Sequence, residues 1–298
     1  MTNKRLIRIG LCQYPLEPVS SVTAWVNKMD RWLTEADLAR ADLAVFSEYA
    51  ALELLSSIPN EPAEDFATRL RRATPLFNQY SSLCRDLATR HGLWLLSGSC
   101  PALDGDEFRN RVWLCSPTGG CEPIDKLQVT SVERQWGIRG GSASRAFHTP
   151  LGCIGAAIGD DSELPTIVQN LVKVGAEVIL VPSCAGSLAS AHRVRIACQA
   201  RALENLCYVA QSATVGSAPW VPSLGEHHGR AGAYCPPHIG MSEQGIIVEG
   251  QLDEPGWVFG DLDLDFLAKV RDTGQLRNRL DWDHAAHLVG KAATTVLQ

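Results

Sequence analysis

Glu48 directly follows an apolar run in the segment LAVFSEYA, and Lys126 and Glu133 lie together in IDKLQVTSVERQWGIRGG. A carboxylate can carry a proton to and from a reacting group, and a lysine ammonium can hold an oxyanion. Each is common on its own. Glu48 and Lys126 would equally make a buried structural ion pair, and a loop glutamate such as Glu133 is usually solvated. A further segment, GCIGAAIGDDSELP at residues 152–165, sets Gly159, Asp160 and Asp161 behind an apolar strand. Gly159 has no side chain to react, and it tolerates a strained turn at no steric cost. Taken alone, Asp161 reads as a cap for the helix that Pro165 begins.

These groups do chemistry only if the surrounding elements bring them together. Strands are expected at residues 5–13, 42–46, 153–158, 178–181 (stopped by Pro182) and 208–214, and a strand pair at 93–97 and 111–115. Helices are expected at residues 22–40, where Val22, Trp25, Met29, Trp32, Leu33 and Ala36 recur at helical spacing, and at 65–91, 164–174, 192–206 and 264–273. Strands alternating with helices argue an α/β fold. The strands are near-continuous apolar runs, as expected of a sheet covered on both faces. With no internal repeat and no low-complexity linker, residues 1–298 read as a single domain.

In order and spacing these segments resemble the nitrilase superfamily, the carbon–nitrogen hydrolases. The likeness extends to RALEN at 201–205 and GDLDLDFLAKVR at 260–271, so it spans nearly the whole chain. Any one motif is weak, but the ordered set is specific. The resemblance implies a four-layer α-β-β-α sandwich with the site at the carboxyl ends of neighbouring strands. It implies Glu48 as base, Lys126 as oxyanion partner and Glu133 as the group that positions the lysine and substrate. The backbone N–H of Asp160 would be a second oxyanion donor. In the family a cysteine at the place of Gly159 attacks the carbon of an amide or nitrile. Asp161 and Pro165 match the residues that follow it. This chain departs from the pattern at Gly159 and at Leu164, where an aromatic residue is common, while Asp160 stands where the family often has an aromatic residue but some amidases have aspartate.

Three functions are compatible with that departure. The first is a hydrolase of a small amide, nitrile or carbamoyl compound whose cysteine has been lost naturally or by construction. The second is an inactive protein that binds such a ligand or a partner. The third is a changed, non-covalent reaction using Glu48 and Lys126. Loops such as residues 216–229 are expected to build the pocket. Of ten cysteines, most lie in apolar runs and read as buried, reduced thiols. Cys153 reads as structural. Cys184, after the run VILVPS, is expected to border the pocket, as a wall residue before a nucleophile. His227 and His228 are adjacent but read as a solvated loop rather than a metal site, and neither metal nor organic cofactor is implied.

A net charge of −6 without a basic run disfavours nucleic acid, and no apolar run is long enough to span a membrane. The start of the chain is not a convincing signal peptide, and a cytoplasmic protein is expected. The family habit of pairing outer helices predicts a homodimer or higher homo-oligomer. Residues 192–206 are the candidate interface, and residues from about 264 to 298 are expected to pack on the partner subunit.

Overall fold

The computed structural model describes residues 4–61, 64–221, 224–273 and 275–288. In chain order the elements begin with β1 (Leu6–Pro15), α1 (Val22–Leu38) and β2 (Leu43–Val45). After a 3₁₀ segment (Ala50–Ser57) come α2 (Phe66–Phe77), α3 (Tyr80–His91), β3 (Trp94–Leu96), β4 (Cys100–Asp104), β5 (Glu107–Cys115), β6 (Cys121–Asp125) and α4 (Ser131–Gln135). The second half opens with β7 (Ala146–Thr149) and β8 (Gly152–Ala156), then a 3₁₀ turn (Gly159–Glu163), α5 (Pro165–Lys173), β9 (Val178–Ser183), α6 (Leu188–Asn205) and β10 (Tyr208–Ser217). It closes with β11 (Glu226–His227), β12 (Gly232–Tyr234), β13 (Ile246–Glu249), β14 (Gly256–Asp263), α7 (Leu264–Thr273) and α8 (Trp282–Leu288).

The strands run in the order β4-β5-β3-β2-β1-β10-β9-β8-β7. β1 and β10 join the two halves through three parallel pairs, Gln13 with Ala213, Tyr14 with Thr214 and Pro15 with Val215. Side-chain alternation explains the layering. Ile7, Ile9 and Leu11 of β1 and Leu43 and Val45 of β2 meet Ile154, Val178, Leu180 and Ala210 of the other half, making a core between two sheets. The opposite face of the first half buries Tyr14, Ala44 and Phe46 under Trp25, Met29 and Leu33 of α1 and Cys84 and Leu87 of α3. The second half buries Ile179, Val181 and Val209 under Val168 and Leu171 of α5 and Val194 and Cys198 of α6. The result is the expected four-layer α-β-β-α sandwich.

Several local expectations need correction. The single helix expected at 65–91 is two, α2 and α3, interrupted at Asn78 and Gln79 a few residues after Pro75. Pro182 does not stop β9, which continues to Ser183. The β8 partner ends at Ala156 opposite Leu180, so β9 is paired only to β10 at the proline. A residue without an N–H is tolerated where one edge is free. The hairpin partner β4 was not expected. Cys115 and Cys121, opposite one another on β5 and β6, form a disulfide rather than two reduced thiols. The C-terminal segment also makes contacts within its own chain, which leave open the expected packing of residues from about 264 to 298 on a partner subunit. Leu264 and Leu267 of α7 join the inter-sheet core, and the Trp282 indole of α8 donates to the Glu204 carbonyl. Residues 289–298 lie outside the described residues.

Candidate functional site

Glu48 stands just beyond the carboxyl end of β2, and its backbone is fixed from the neighbouring half. Thr214 Oγ1 of β10 donates to the Glu48 carbonyl, and Ser212 Oγ donates to that of Phe46. Tyr49 follows at φ 65°, a left-handed conformation that a bulky residue adopts only when its surroundings enforce it. Here the Tyr49 N–H donates to Ser99 Oγ at 2.7 Å and its hydroxyl donates to Glu133 Oε1 at 2.5 Å.

Lys126 follows β6, and its ammonium gathers three carboxylates. Nζ lies 3.0 Å from Glu48 Oε1, 3.1 Å from Glu133 Oε2 and 3.2 Å from Asp160 Oδ2. The side chains of Lys126, Glu48 and Glu133 are each 2 % exposed, whereas that of Asp160 is 35 % exposed. Glu133 is buried, not solvated as a loop glutamate would be. It is the third residue of α4, where Thr130 and Glu133 exchange side-chain-to-backbone bonds as a capping box. Asp160, one position past Gly159, turns its carboxylate onto Lys126.

Asp161 is not the cap of α5. Its carboxylate accepts the Leu127 N–H at 2.9 Å and the Gln128 N–H at 2.6 Å, so it clamps the loop that carries Lys126. Leu164 takes the cap position of α5 with no side-chain hydrogen bond. Sequence reading missed Asn110 altogether. It is fully buried on β5, and its Nδ2 donates to Glu48 Oε1 and to Glu133 Oε1, both at 2.8 Å. The signal was present in EFRNRVWLC, because strand alternation puts Asn110 on the same face as Phe108 and Val112. An amide on a buried face needs partners.

Burial pushes the Glu48 carboxyl up to about 7, a rise that Glu133 and Asp160 reinforce and Lys126 opposes. Burial works against the charged form of Lys126, but Glu48, Glu133 and Asp160 together hold its pKa above the ordinary lysine value. Burial likewise works against ionised Glu133, yet Lys126, the Thr130 N–H, Tyr49 and Asn110 keep its carboxyl below the usual range. The cluster therefore contains a fixed ammonium, a fixed carboxylate and one carboxyl, Glu48, that exchanges its proton near neutrality.

Gly159 lies at the floor of a cavity of about 290 Å³ lined also by Glu48, Lys126, Glu133, Asp160 and Cys184. Its φ is 51°, and a Cβ added there would stand 2.7 Å from Glu48 Oε2. The absent side chain thus leaves the carboxylate of Glu48 against the backbone. Cys184 borders the cavity as expected, with Sγ 3.5 Å from His227 Nδ1. His227 is 2 % exposed rather than solvated, and burial lowers its pKa to about 4. Burial raises the Cys184 thiol well above its ordinary value, so neither group is poised to ionise. Of the 216–229 loop, Leu224 reaches the cavity, while residues 222 and 223 lie outside the described residues. No group of three or more metal-ligating side chains occurs among the described residues.

A two-halved α-β-β-α sandwich with a carboxylate–lysine–carboxylate cluster at its strand ends defines a protein of carbon–nitrogen hydrolase type. The profile of the carbon–nitrogen hydrolase family matches residues 8–272, and the chain belongs to that family. Among curated proteins it is 31% identical over 276 residues to the probable hydrolase YhcX of Bacillus subtilis, covering 92% of this chain and 53% of that one. The chain thus spans about half the length of that relative. It is 26% identical to the deaminated glutathione amidase of Homo sapiens, covering 87% of this chain and 80% of the amidase. Among solved structures, Saccharomyces cerevisiae Nit3 superposes with a TM-score of 0.72 at 16% identity, covering 91% of this chain and 95% of Nit3. A double mutant of the amidase from Nesterenkonia sp. AN1 in complex with acrylamide superposes with a TM-score of 0.71 at 19% identity, covering 90% and 95%.

Proposed function

We propose that this protein binds a small amide, nitrile or carbamoyl compound over Gly159 and hydrolyses it without a thiol at that position. The observation that carries the reading is the position of Lys126 Nζ between Glu48 and Glu133 in a cavity that Gly159 and Asp160 also line. Glu48 is the base. It takes a proton from a water over Gly159 while the water oxygen bonds to the ligand carbon. Lys126 and the Asp160 N–H stabilise the oxyanion, and Glu48 returns the proton to the leaving nitrogen. For a primary amide and water the products are a carboxylic acid and ammonia. Glu133, with Asn110 and Tyr49, positions the lysine. The relatives support the amide class: one is a deaminated glutathione amidase, and the Nesterenkonia amidase binds acrylamide. In another structure of that amidase, acrylamide adds at an active site cysteine. Position 159 of this chain offers no such atom.

The test is a panel of small amides, ureas and nitriles assayed for turnover, with hydroxylamine added to intercept any acyl-enzyme. Turnover lost in Glu48→Gln, with no hydroxamate formed, is expected. A hydroxamate dependent on Cys184 would overturn the water mechanism. A second reading, binding without turnover, is favoured by the closeness of Glu48 Oε2 to Gly159, which narrows the room for an attacking atom. Saturable binding with no product from any panel member would select it.

A further inference from the structure

Resting on the reading of the cavity as an amide, nitrile or carbamoyl site, we propose that Lys126 and Asp160 form a donor–acceptor pair that selects ligands carrying –C(=O)–NH₂ over nitriles. A lysine ammonium has three donors and no acceptor. Three carboxylates stand within 3.2 Å of it, so no donor is free for a ligand as the site stands. Two of the three are held in place. Glu48 Oε1 also accepts from Asn110, and Glu133 also accepts from Tyr49, Asn110 and the Thr130 N–H. Asp160 differs from both. It is 35 % exposed on the cavity side, and Lys126 is the one ionic or hydrogen-bonding partner of its carboxylate among the described residues.

A ligand oxygen therefore reaches Lys126 by displacing Asp160. The displaced carboxylate stays tethered beside the lysine, where it needs a donor. A primary amide or carbamoyl group supplies both halves, because its carbonyl oxygen accepts from Lys126 while the adjacent NH₂ donates to Asp160. A nitrile supplies only an acceptor and leaves Asp160 unpaired in a confined site. An unmatched polar partner costs binding because part of its hydration is lost, and for a carboxylate that keeps some solvent contact, as Asp160 does, the penalty is on the order of tenfold in affinity. The ion pair that closes the oxyanion position thus doubles as the element that reads the ligand's nitrogen.

Ligand-observed NMR titrations of propionamide, methylurea and propionitrile against the whole chain test this without requiring turnover. The wild-type protein should bind propionamide and methylurea about 10-fold or more tighter than propionitrile. Asp160→Ala should bring all three to within about threefold of one another, with the amide weakened and the nitrile strengthened. Asp160→Asn, which keeps an acceptor oxygen without the charge, should give an intermediate ratio. An amide-to-nitrile ratio near one in the wild-type protein, or a ratio that survives Asp160→Ala, overturns the selection while leaving the cavity reading intact. No binding of any of the three to the wild-type protein overturns the cavity reading, and this inference with it.

Discussion

At the scale of single residues, the site turns on Glu48 and Gly159. The raised pKa of Glu48, about 7 against 4.5 for the ordinary carboxyl, has a definite sign. Between those values the folded protein binds a proton that the unfolded chain has released, so this group's contribution to stability is complete below about pH 4.5 and is lost as pH rises through 7. The loss is on the order of 3 kcal/mol. Urea unfolding at pH 5 and pH 8 should show Glu48→Gln with a smaller decline than the wild-type protein. Equal declines would mean that Glu48 is already ionised at pH 5. Because the base must be deprotonated to act, turnover should rise with pH through about 7. At Gly159, substitution is resisted twice, by the left-handed backbone and by the closeness of Glu48 Oε2. Gly159→Ala should cost about 1–2 kcal/mol in chemical denaturation. Gly159→Cys should be alkylated by iodoacetamide only where Glu48 has withdrawn, and Gly159→Cys combined with Glu48→Ala, which clears that space, should be alkylated faster per thiolate. Both positions follow an apolar strand in the sequence, but the roles of Glu48 and the Gly159 slot were legible only through the ordered resemblance, since Glu48 alone reads equally as a structural ion-pair residue. The direction of the Asp160 side chain was not legible. A one-residue offset predicts the opposite face in a strand, but Asp160 sits in a 3₁₀ turn, where that alternation has ended.

At the scale of elements, two short segments carry the lysine. Asp161 clamps the backbone of Leu127 and Gln128 from the turn after β8, tying the Gly159 turn to the Lys126 loop. Burial raises the Asp161 carboxyl to about 6 against the opposing pull of those N–H groups. Asp161→Ala strands two backbone donors, at a cost of about 2 kcal/mol or more. Ligand affinity should fall further than the thermal shift alone accounts for, because Lys126 loses its place. A ligand titration at a temperature where the variant is fully folded separates the two effects, and unchanged affinity would reduce Asp161 to a stability residue. Thr130 acts on the other side by capping α4 and holding Glu133, and Thr130→Ala should cost about 1 kcal/mol. The T-x-x-E spacing of that capping box was readable in the sequence. The clamp by Asp161 was not, because its partners lie 33 and 34 positions away and no local pattern announces them. The same limit explains the helix boundaries. Residues 65–91 keep helical composition across Asn78 and Gln79, and no local pattern marks the break between α2 and α3 there.

At the scale of the whole molecule, continuous apolar strands pointed to an α/β sheet covered on both faces, while the four layers came from the family resemblance. What the apolar pattern left open is which helix faces remain uncovered. Of the apolar residues along α6, Val194 and Ala197 are buried on the chain's own sheet, while Leu188, Ile196 and Leu203 are 44, 60 and 38 % exposed. At 100° per residue Ile196 and Leu203 fall about 20° apart and Leu188 lies about 60–80° to one side, so the three share about a quarter of the helix circumference. Leu164 and Val174, at the ends of the adjacent α5, are also exposed. Scattered surface leucines need no explanation, but an aligned stripe on neighbouring helices is what an interface between copies uses. We expect the protein to sediment at about twice 32.4 kDa at micromolar concentration. In a two-fold interface each substitution is felt twice, so Ile196→Glu combined with Leu203→Glu should give a monomer that retains its near-ultraviolet circular dichroism. An unsubstituted chain that sediments only at 32.4 kDa would leave the stripe without a partner copy. The charged variant adds a second discrimination. α6 packs against the Gly159–Glu163 turn, so a dimer-dependent site should lose ligand affinity along with its partner, whereas a site complete in one subunit should keep it.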